Sequence, residues 1–259
     1  MSRRDDRGSD GARSIKSVER FFDIVEHLEA NGPAGVTEVA REVGLAKSTV
    51  HLHVQTMYER GYAIKEGREY DLSLRFLDVG LARKFRNDIY EVVDSQLVDL
   101  ANRTGEQVWF WVEENGLAVV VSQALGARAL STNGRVGDHL HMHCTAGGKA
   151  ILAHLPASRV DEIVERHGLE AYTDRTITDR AELEAVLREI RERGLAVNRG
   201  ESIKGVFAIA VPVVDNDAVL HGSISIAGPS NRMADPTDSE PARAIADAAN
   251  ELAINLSYV

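Results

Sequence analysis

The stretch TEVAREVGLAKSTVHLHVQTMYERGY, residues 37–62, decides the fold of the N-terminal part of the chain. Its two halves carry apolar residues at helical spacing, the turn GLA (44–46) separates them, and Gly61 ends the second half. So short a turn lets two helices cross steeply, as they do in a helix-turn-helix motif. The inward positions of these helices are Val39, Ala40, Val43, Val50, Val54 and Met57.

The flanking segments extend this motif into a winged arrangement. Residues 17–30, SVERFFDIVEHLEA, predict an amphipathic helix that precedes it. After it, YAIKE (62–66) and EYDLS (69–73) predict two short strands joined by a tight turn. The order helix, helix, turn, helix, hairpin is that of a winged helix-turn-helix domain. The expected helix caps in the chain are Ser17, Thr37 and Thr178.

The third helix and the hairpin carry the residue types that contact DNA. Small hydroxyls and a lysine at a helix start can bind phosphates together with the first backbone N–H groups, and residues further along the outward face meet base edges. Basic residues of the hairpin can reach the backbone or the minor groove. The alternative is an ordinary three-helix domain with capping hydroxyls. The predicted DNA contacts are Lys47, Ser48, Thr49, His51, Leu52, Gln55, Lys65 and Arg68.

The charge distribution favours DNA binding by the same part of the chain. The 259 residues carry a net charge of −10, and 44% of them are hydrophobic, enough for real cores. Residues 1–90 hold equal numbers of basic and acidic side chains, so the whole −10 lies in the remainder, which would repel a polyanion. No apolar run approaches a membrane span, the polar start predicts a disordered arm over residues 1–13, and a single cysteine suits a cytoplasmic protein.

Three runs resemble the DNA-binding domain of IclR-type transcriptional regulators. They are SIKSVERFFDIVEHL, TEVAREVGLAKSTVHLHVQTMYERGY and YDLSLRFLDVG. Members of that family commonly carry an arginine where this chain has Leu52. This chain therefore lacks one phosphate or base contact that the resemblance implies, while the DNA-binding role stands.

The rest of the chain predicts a connector and an antiparallel α+β domain. Residues 74–104 show two apolar stripes and predict a helical linker. Beyond it, Asn115-Gly116 between two apolar runs predicts a hairpin, and two further strands alternate with helices before a last helix near 237–256. The predicted domains are a winged helix-turn-helix over 14–75, linker and dimerisation helices over 76–104, and an effector-binding domain over 105–259.

The stretch HLHMHCTAGGK, residues 139–149, imitates several kinds of chemical site. On a strand, His139, His141 and His143 would share one face and are weak candidates for a zinc site. Cys144 precedes a helix start, which would lower its thiol pKa, so a metal- or thiol-dependent enzyme or a cysteine-based redox sensor is the alternative function. A Walker phosphate loop is excluded, because Lys149 is followed by alanine. We expect no catalytic residues and no cofactor.

The remaining hypothesis for this stretch is a cradle for a small anion. Thr145, Ala146, Gly147 and Gly148 open a helix, where small side chains let a carboxylate approach free N–H groups. The alternative is a capped helix whose glycines only permit close packing.

Four later runs resemble the effector domain of the same regulators, a GAF-like ligand sensor. They are HMHCTAGGKAILAHLP, ERGLAVNRGES, VFAIAVPVVD and GSISIAGPSNR, so the likeness spans about residues 14–256. It implies a homodimer or dimer of dimers on a pseudo-palindromic operator, with a carboxylate or sugar-acid effector and a catabolic operon as target. The effector contacts it implies are Thr132, Leu140, Met142, Ala146, Gly147, Asn198, Ala208, Ser225 and Ala227.

Overall fold

The computed structural model describes residues 14–86, 89–130, 134–233 and 239–256. The chain divides into two compact units between Arg86 and Asn87. The arm predicted for residues 1–13 and the predicted effector contact Thr132 lie outside the described residues. Within the described ranges, no helix is both long enough and apolar enough to cross a membrane.

The N-terminal unit is a winged helix-turn-helix, as predicted. A three-stranded antiparallel sheet with the order β1-β3-β2 forms the wing, and the three helices close over a core that includes Ile24, Val50 and Met57. The elements are α1 (Lys16–Asn31), β1 (Ala34–Gly35), α2 (Val36–Glu42), α3 (Lys47–Glu59), β2 (Ala63–Glu66), β3 (Glu69–Leu72) and α4 (Arg75–Lys84).

The predicted helix caps were wrong in all three places. The α1 helix begins one residue before Ser17, and Ile15 precedes it without a side-chain hydrogen bond. Gly35 pairs with β3 and is followed directly by the first residue of α2, Val36. The α2 helix therefore starts before Thr37. In α8 (Arg180–Arg193) the cap is Asp179, whose carboxylate accepts a hydrogen bond from the N–H of Glu182 at 2.9 Å.

The helix predicted over residues 74–104 is two helices. The α4 helix ends at Lys84, and α5 (Ile89–Thr104) begins in the second unit. Helix α4 contains no buried residue, whereas α5 buries seven side chains against the sheet of its unit. The two apolar stripes in this stretch therefore belong to different helices with different neighbours.

The C-terminal unit is built on a six-stranded antiparallel sheet with the order β6-β5-β4-β9-β8-β7. Asn115 and Gly116 both have positive φ, as the predicted hairpin between β4 and β5 requires. After α5, the elements are β4 (Gln107–Glu114), β5 (Leu117–Leu125), β6 (His139–His141), a 3₁₀ helix (Met142–Cys144), α6 (Ala146–Leu152), α7 (Ala157–His167), α8, β7 (Ala196–Asn198), β8 (Val206–Val214), β9 (Leu220–Pro229) and α9 (Glu240–Leu256).

Both faces of this sheet are covered by helices. Helices α5 and α9 pack on one face around Phe110, Ile224 and Ile226. Helices α6, α7 and α8 pack on the other, where Trp109 and Trp111 of β4 lie. Because side chains alternate along a strand, the sequence VWFWV sends Phe110 to the first face and both tryptophans to the second.

Candidate functional site

The outward face of α3 presents polar and apolar side chains to solvent. Lys47, Ser48, His51 and Leu52 are exposed, and Thr49 is half-buried. Ala46 precedes the helix and no side chain caps it, so the hydroxyls of Ser48 and Thr49 are not used as caps. The first N–H groups of a helix have no intrahelical acceptor, so this end of α3 can meet phosphates.

Leu52 and Gln55 sit differently on this face. Leu52 is 69% exposed and stands at the rim of an apolar groove of about 380 Å³ that Phe21, Met57 and Tyr62 also line. The Gln55 side chain is held in place: its Nε2 donates to Glu59 at 3.0 Å, and its Oε1 accepts from the Tyr70 hydroxyl at 3.4 Å. Gln55 thus joins α3 to the wing, while Leu52 contacts solvent.

The wing carries the two predicted basic contacts at its tip. Lys65 and Arg68 are both exposed, and Gly67 has the positive φ that the turn between them requires. The Lys65 ammonium lies 5.0 Å from the centre of the Tyr70 ring, within cation–π range. That contact holds the side chain against β3 while its charge remains in water.

In the second unit, the start of α6 is packed tightly against its surroundings. The Thr145 hydroxyl accepts a hydrogen bond from the N–H of Gly148 at 3.0 Å. A Cβ on Gly148 would lie 2.4 Å from the Met142 carbonyl oxygen, and one on Gly147 would lie 2.4 Å from Cδ1 of Trp111. Close packing therefore requires both glycines, and the N–H groups of Ala146 and Gly147 have no intrahelical acceptor.

The strands that face the start of α6 present polar side chains that are buried. Trp111 Nε1 donates to the Ser225 hydroxyl at 2.7 Å, and the Ser223 hydroxyl donates to the Gly147 carbonyl at 2.9 Å. The Trp111 indole thus lies between Gly147 and Ser225, two predicted effector contacts. Neither Trp111 nor Ser223 was among the predicted site residues. The alternation of tryptophan in VWFWV was the signal that could have found the first.

Asn198 uses both ends of its amide within the protein. Its Nδ2 donates to the Cys144 carbonyl, and its Oδ1 accepts from the N–H groups of Gly200 and Glu201 at 3.0 Å each. Asn198 therefore ties the loop after β7 to the turn before α6. Both the Nδ2 and the Oδ1 of Asn198 thus have hydrogen-bond partners within the protein.

A buried ion pair fastens α6 to this loop. The Lys149 ammonium donates to the Glu201 carboxylate and, at 2.8 Å, to the Val197 carbonyl. Lys149 is 1% exposed. Burial lowers the pKa of Lys149 and raises that of Glu201, and the attraction between the two charges opposes both shifts.

The structure gathers most of the predicted effector contacts on one side of the sheet. The two tryptophans pack with Met142 and Ala146, and partly buried side chains close the cluster. Those partly buried members include Leu140, Ala208 and Ala227.

Comparison with known proteins identifies both units. Residues 17–67 match the IclR helix-turn-helix domain, and residues 85–254 match the bacterial transcriptional regulator IclR C-terminal domain. The chain belongs to the IclR family of bacterial transcriptional regulators.

Relatives in the IclR family align with nearly the whole chain. The HTH-type transcriptional regulator KdgR of Escherichia coli (strain K12) is 30% identical over 95% of this chain and 94% of its own length. The crystal structure of Thermotoga maritima IclR superposes with a TM-score of 0.76 at 25% identity, covering 95% of this chain and 98% of that one. An IclR homologue from Microbacterium hydrocarbonoxydans, solved with 4-hydroxybenzoate, shares the fold with a TM-score of 0.80 at 19% identity, covering 94% and 100%.

The weak zinc candidates of this IclR-family chain, His139, His141 and His143, do not lie on one strand face. Strand β6 ends at His141, so His143 lies in the 3₁₀ helix and the three rings do not share a strand face. The His139 ring lies 2.8 Å from the Gly137 carbonyl, whereas His141 has His143 and His167 as ring neighbours. Within the described ranges, no group of three histidine, cysteine or acidic side chains is arranged to hold a metal ion.

The thiol hypothesis is contradicted by burial. Burial raises the pKa of Cys144 to about 12, the opposite of the expected lowering at a helix start. Its Sγ donates to the His141 carbonyl at 3.2 Å. Burial also lowers the pKa of His143, whose Nε2 lies 3.0 Å from the Glu170 carbonyl. Cys144 is therefore a protonated core residue. Because only the thiolate form of cysteine is nucleophilic, this thiol is unreactive.

Proposed function

We propose that the chain binds a pseudo-palindromic operator through α3 and the wing. The observation that carries this proposal is the uncapped N-terminal end of α3, where exposed Lys47 and Ser48 precede Leu52 on the same outward face. In helix-turn-helix proteins this end of the recognition helix contacts base edges. Lys65 and Arg68 add the charge that phosphates attract.

Binding to the DNA upstream of its own gene tests this function, measured by fluorescence anisotropy over a range of salt concentrations. Each of the variants Lys65→Gln and Arg68→Gln should weaken binding to all sequences and reduce the salt slope by about one. Lys204→Gln is the matched control, because it removes one exposed positive charge from the other unit. If the wild-type protein shows no sequence preference at any salt concentration, the proposal fails.

We propose that the effector is a small carboxylate held between the start of α6 and strands β7, β8 and β9. The first N–H groups of the short helix α6 have no acceptor within the helix, and Ser223 and Ser225 supply buried hydroxyls nearby. Leu140 and Met142 supply an apolar wall. The structure of an IclR homologue complexed with 4-hydroxybenzoate, which is itself a carboxylate, supports this proposal.

A thermal-shift screen of small organic acids and sugar acids tests the effector site. A ligand that binds only the native state raises the melting temperature as its concentration exceeds the Kd. Gly147→Val should abolish the shift, because its side chain would clash with Trp111 and displace the start of α6. A shift that survives in that variant would place the effector elsewhere.

We propose that the protein acts as a homodimer or a dimer of dimers, and in the cytoplasm, where a bacterial regulator meets its DNA. A two-fold operator requires two recognition helices. Exposed apolar residues of α1 and α4 favour a partner chain; among them Phe22 is 53% exposed and Leu77 55%. Effector binding would alter operator affinity by favouring one quaternary arrangement, with no reaction catalysed. Light scattering at several protein concentrations measures the assembly.

A further inference from the structure

The Gln55 side chain of α3 is held at both ends of its amide. Its Nε2 donates to the Glu59 carboxylate at 3.0 Å, one helical turn along, and its Oε1 accepts from the Tyr70 hydroxyl of β3 at 3.4 Å. Gln55 is half-buried and Glu59 is exposed, whereas Tyr70 is only 2% exposed. Because the side chain is already ordered by two partners, its orientation is set before DNA binds.

The direction of this amide follows from the chemistry of its two partners. The Glu59 carboxylate only accepts hydrogen bonds, so the NH₂ end of the amide has to face it. The Tyr70 hydroxyl can donate or accept, and it donates here because the carbonyl oxygen of the amide faces it. Oε1 thus faces a buried side chain and Nε2 an exposed one, and the Nε2 end is the end that a base can reach.

The four bases respond differently to an amide that offers only a donor. In the major groove guanine presents two acceptors, N7 and O6, and thymine presents O4, whereas cytosine presents a donor. Adenine presents N7 beside a donor, and its usual pairing with glutamine uses both atoms of the amide. Gln55 cannot form that bidentate pair while its Oε1 accepts from Tyr70, so guanine is the favoured base.

Tyr70 contacts the recognition helix and the wing with different parts of its side chain. Its hydroxyl binds Gln55, while its ring lies 5.0 Å from the ammonium of Lys65, which stands opposite it in the β2–β3 pair. Replacing this tyrosine by phenylalanine removes the hydrogen bond to α3 and retains the ring under Lys65. The two contacts can therefore be separated by a single substitution.

We propose that Tyr70 and Glu59 restrict Gln55 to donating, so that Gln55 favours guanine over adenine at one position of each operator half-site. Gln55 is the specificity-determining residue. Tyr70 is buried and acts through Gln55, which makes it a positioning residue, and Glu59 acts in the same way by fixing the direction of the amide. The inference rests on the proposed operator binding and deepens it by naming the base that one side chain selects.

Competition anisotropy of the full-length protein with single-base-pair variants of its operator tests the inference. The position that loses its base preference in Gln55→Ala is the one that Gln55 contacts, and there the wild-type protein should bind guanine more tightly than adenine. In Tyr70→Phe the released Oε1 can accept from adenine N6. The adenine operator should then gain at least about fivefold over the guanine operator, within the range of one bidentate contact.

Tyr62→Phe is the matched control, because it removes a tyrosine hydroxyl from the same unit. Within the described part of the chain that hydroxyl forms no hydrogen bond, and the ring contacts with Phe76 and Arg75 remain. Its base preference should equal that of the wild-type protein. The salt slope of Tyr70→Phe should also be unchanged, since Lys65 keeps its ring contact. A reduced slope would mean that the wing has moved, and it would overturn the inference.

Glu59→Ala keeps the test decisive if Tyr70→Phe does not fold, because Glu59 is exposed and its loss leaves the core intact. Without the carboxylate the amide can turn over and present Oε1, since the Tyr70 hydroxyl also accepts. This variant should therefore gain affinity for the adenine operator as well.

Three results would overturn the inference while operator binding stands. They are wild-type base ratios in the folded variants Tyr70→Phe and Glu59→Ala, a wild-type preference for adenine at the Gln55 position, and an unchanged base preference at every position in Gln55→Ala. A wild-type protein without any sequence preference would instead refute operator binding itself, and the inference with it.

Discussion

The two units place their predicted functional residues in opposite environments. In the N-terminal unit these residues are mainly exposed, and Leu52 is 69% exposed. In the C-terminal unit the predicted effector contacts are mainly buried; Asn198 is 3% exposed and Ser225 is 2% exposed. The first set can change without disturbing a core, whereas each member of the second set also packs or hydrogen-bonds within one.

The difference in exposure distinguishes a binding site on the surface from a binding site in the interior. A surface such as the outward face of α3 uses side chains whose neighbours are mostly water, so affinity and stability are independent. In the interior site, Ser223 holds the carbonyl of Gly147, and Asn198 holds the loop at Glu201. There, a substitution that alters ligand binding should alter the stability of the unit as well.

The largest expected effect comes from breaking the buried ion pair. Lys149→Met leaves the Glu201 carboxylate buried without its partner and should destabilise the C-terminal unit by about 3–5 kcal/mol. Urea unfolding followed by tryptophan fluorescence measures this loss, because both tryptophans lie in that unit.

Replacing both partners distinguishes a charge effect from simple truncation. The double variant Lys149→Met/Glu201→Leu has no unpaired charge and should recover most of the stability lost in Lys149→Met. If the single variant is as stable as the wild-type protein, the interior site does not depend on this pair, and the contrast between the two units is weaker than the burial indicates.

The next largest effect on stability comes from replacing a tightly packed glycine, compared with replacing an exposed one. Gly147→Ala places a methyl group against Trp111 and should cost about 1–3 kcal/mol of stability by overpacking. Gly80→Ala in the exposed helix α4 meets no atom within 4 Å and should be neutral or stabilising by up to ~1 kcal/mol. Thermal unfolding compares the two variants. Adding Trp111→Leu to Gly147→Ala should restore stability, and failure to do so would show that another neighbour is responsible.

Sequence patterns predicted most of the fold, because the helices and strands follow from local spacing. The helix-turn-helix and the Asn115-Gly116 hairpin are examples, since each depends on residues within a few positions. The caps failed because a bridge at Gly35 and a competing Asp179 decided where helices begin. The alternation in VWFWV places Trp111 on one face of the sheet, but no local pattern shows that its indole pairs with Ser225 or that Glu201 pairs with Lys149, because these partners are distant in sequence and meet only in the folded unit.

A smaller effect concerns pH and the buried His143. Because burial lowers its pKa in the folded state, the unfolded chain binds a proton more readily. Its contribution to stability is complete above the unfolded pKa of about 6.5 and is lost as the pH falls toward the folded pKa, by at most about 1.4 kcal/mol per pH unit. The difference between wild type and His143→Gln in urea unfolding isolates this dependence. Equal pH profiles for the two proteins would contradict it.

The smallest effect belongs to the exposed surface, where Leu52 can be tested one methyl group at a time. An apolar side chain on a recognition helix distinguishes thymine by its C5-methyl group. Replacing one thymine of the operator by uracil removes only that methyl and should weaken wild-type binding about fourfold, or ~0.8 kcal/mol. The loss should vanish in Leu52→Ala, whose own stability should match the wild type because the side chain is exposed.

Anisotropy titrations with each single-uracil operator measure this loss of affinity. Wild-type affinity that is indifferent to every replacement would mean that Leu52 contacts no base, and a loss that persists in Leu52→Ala would assign the methyl contact to another side chain.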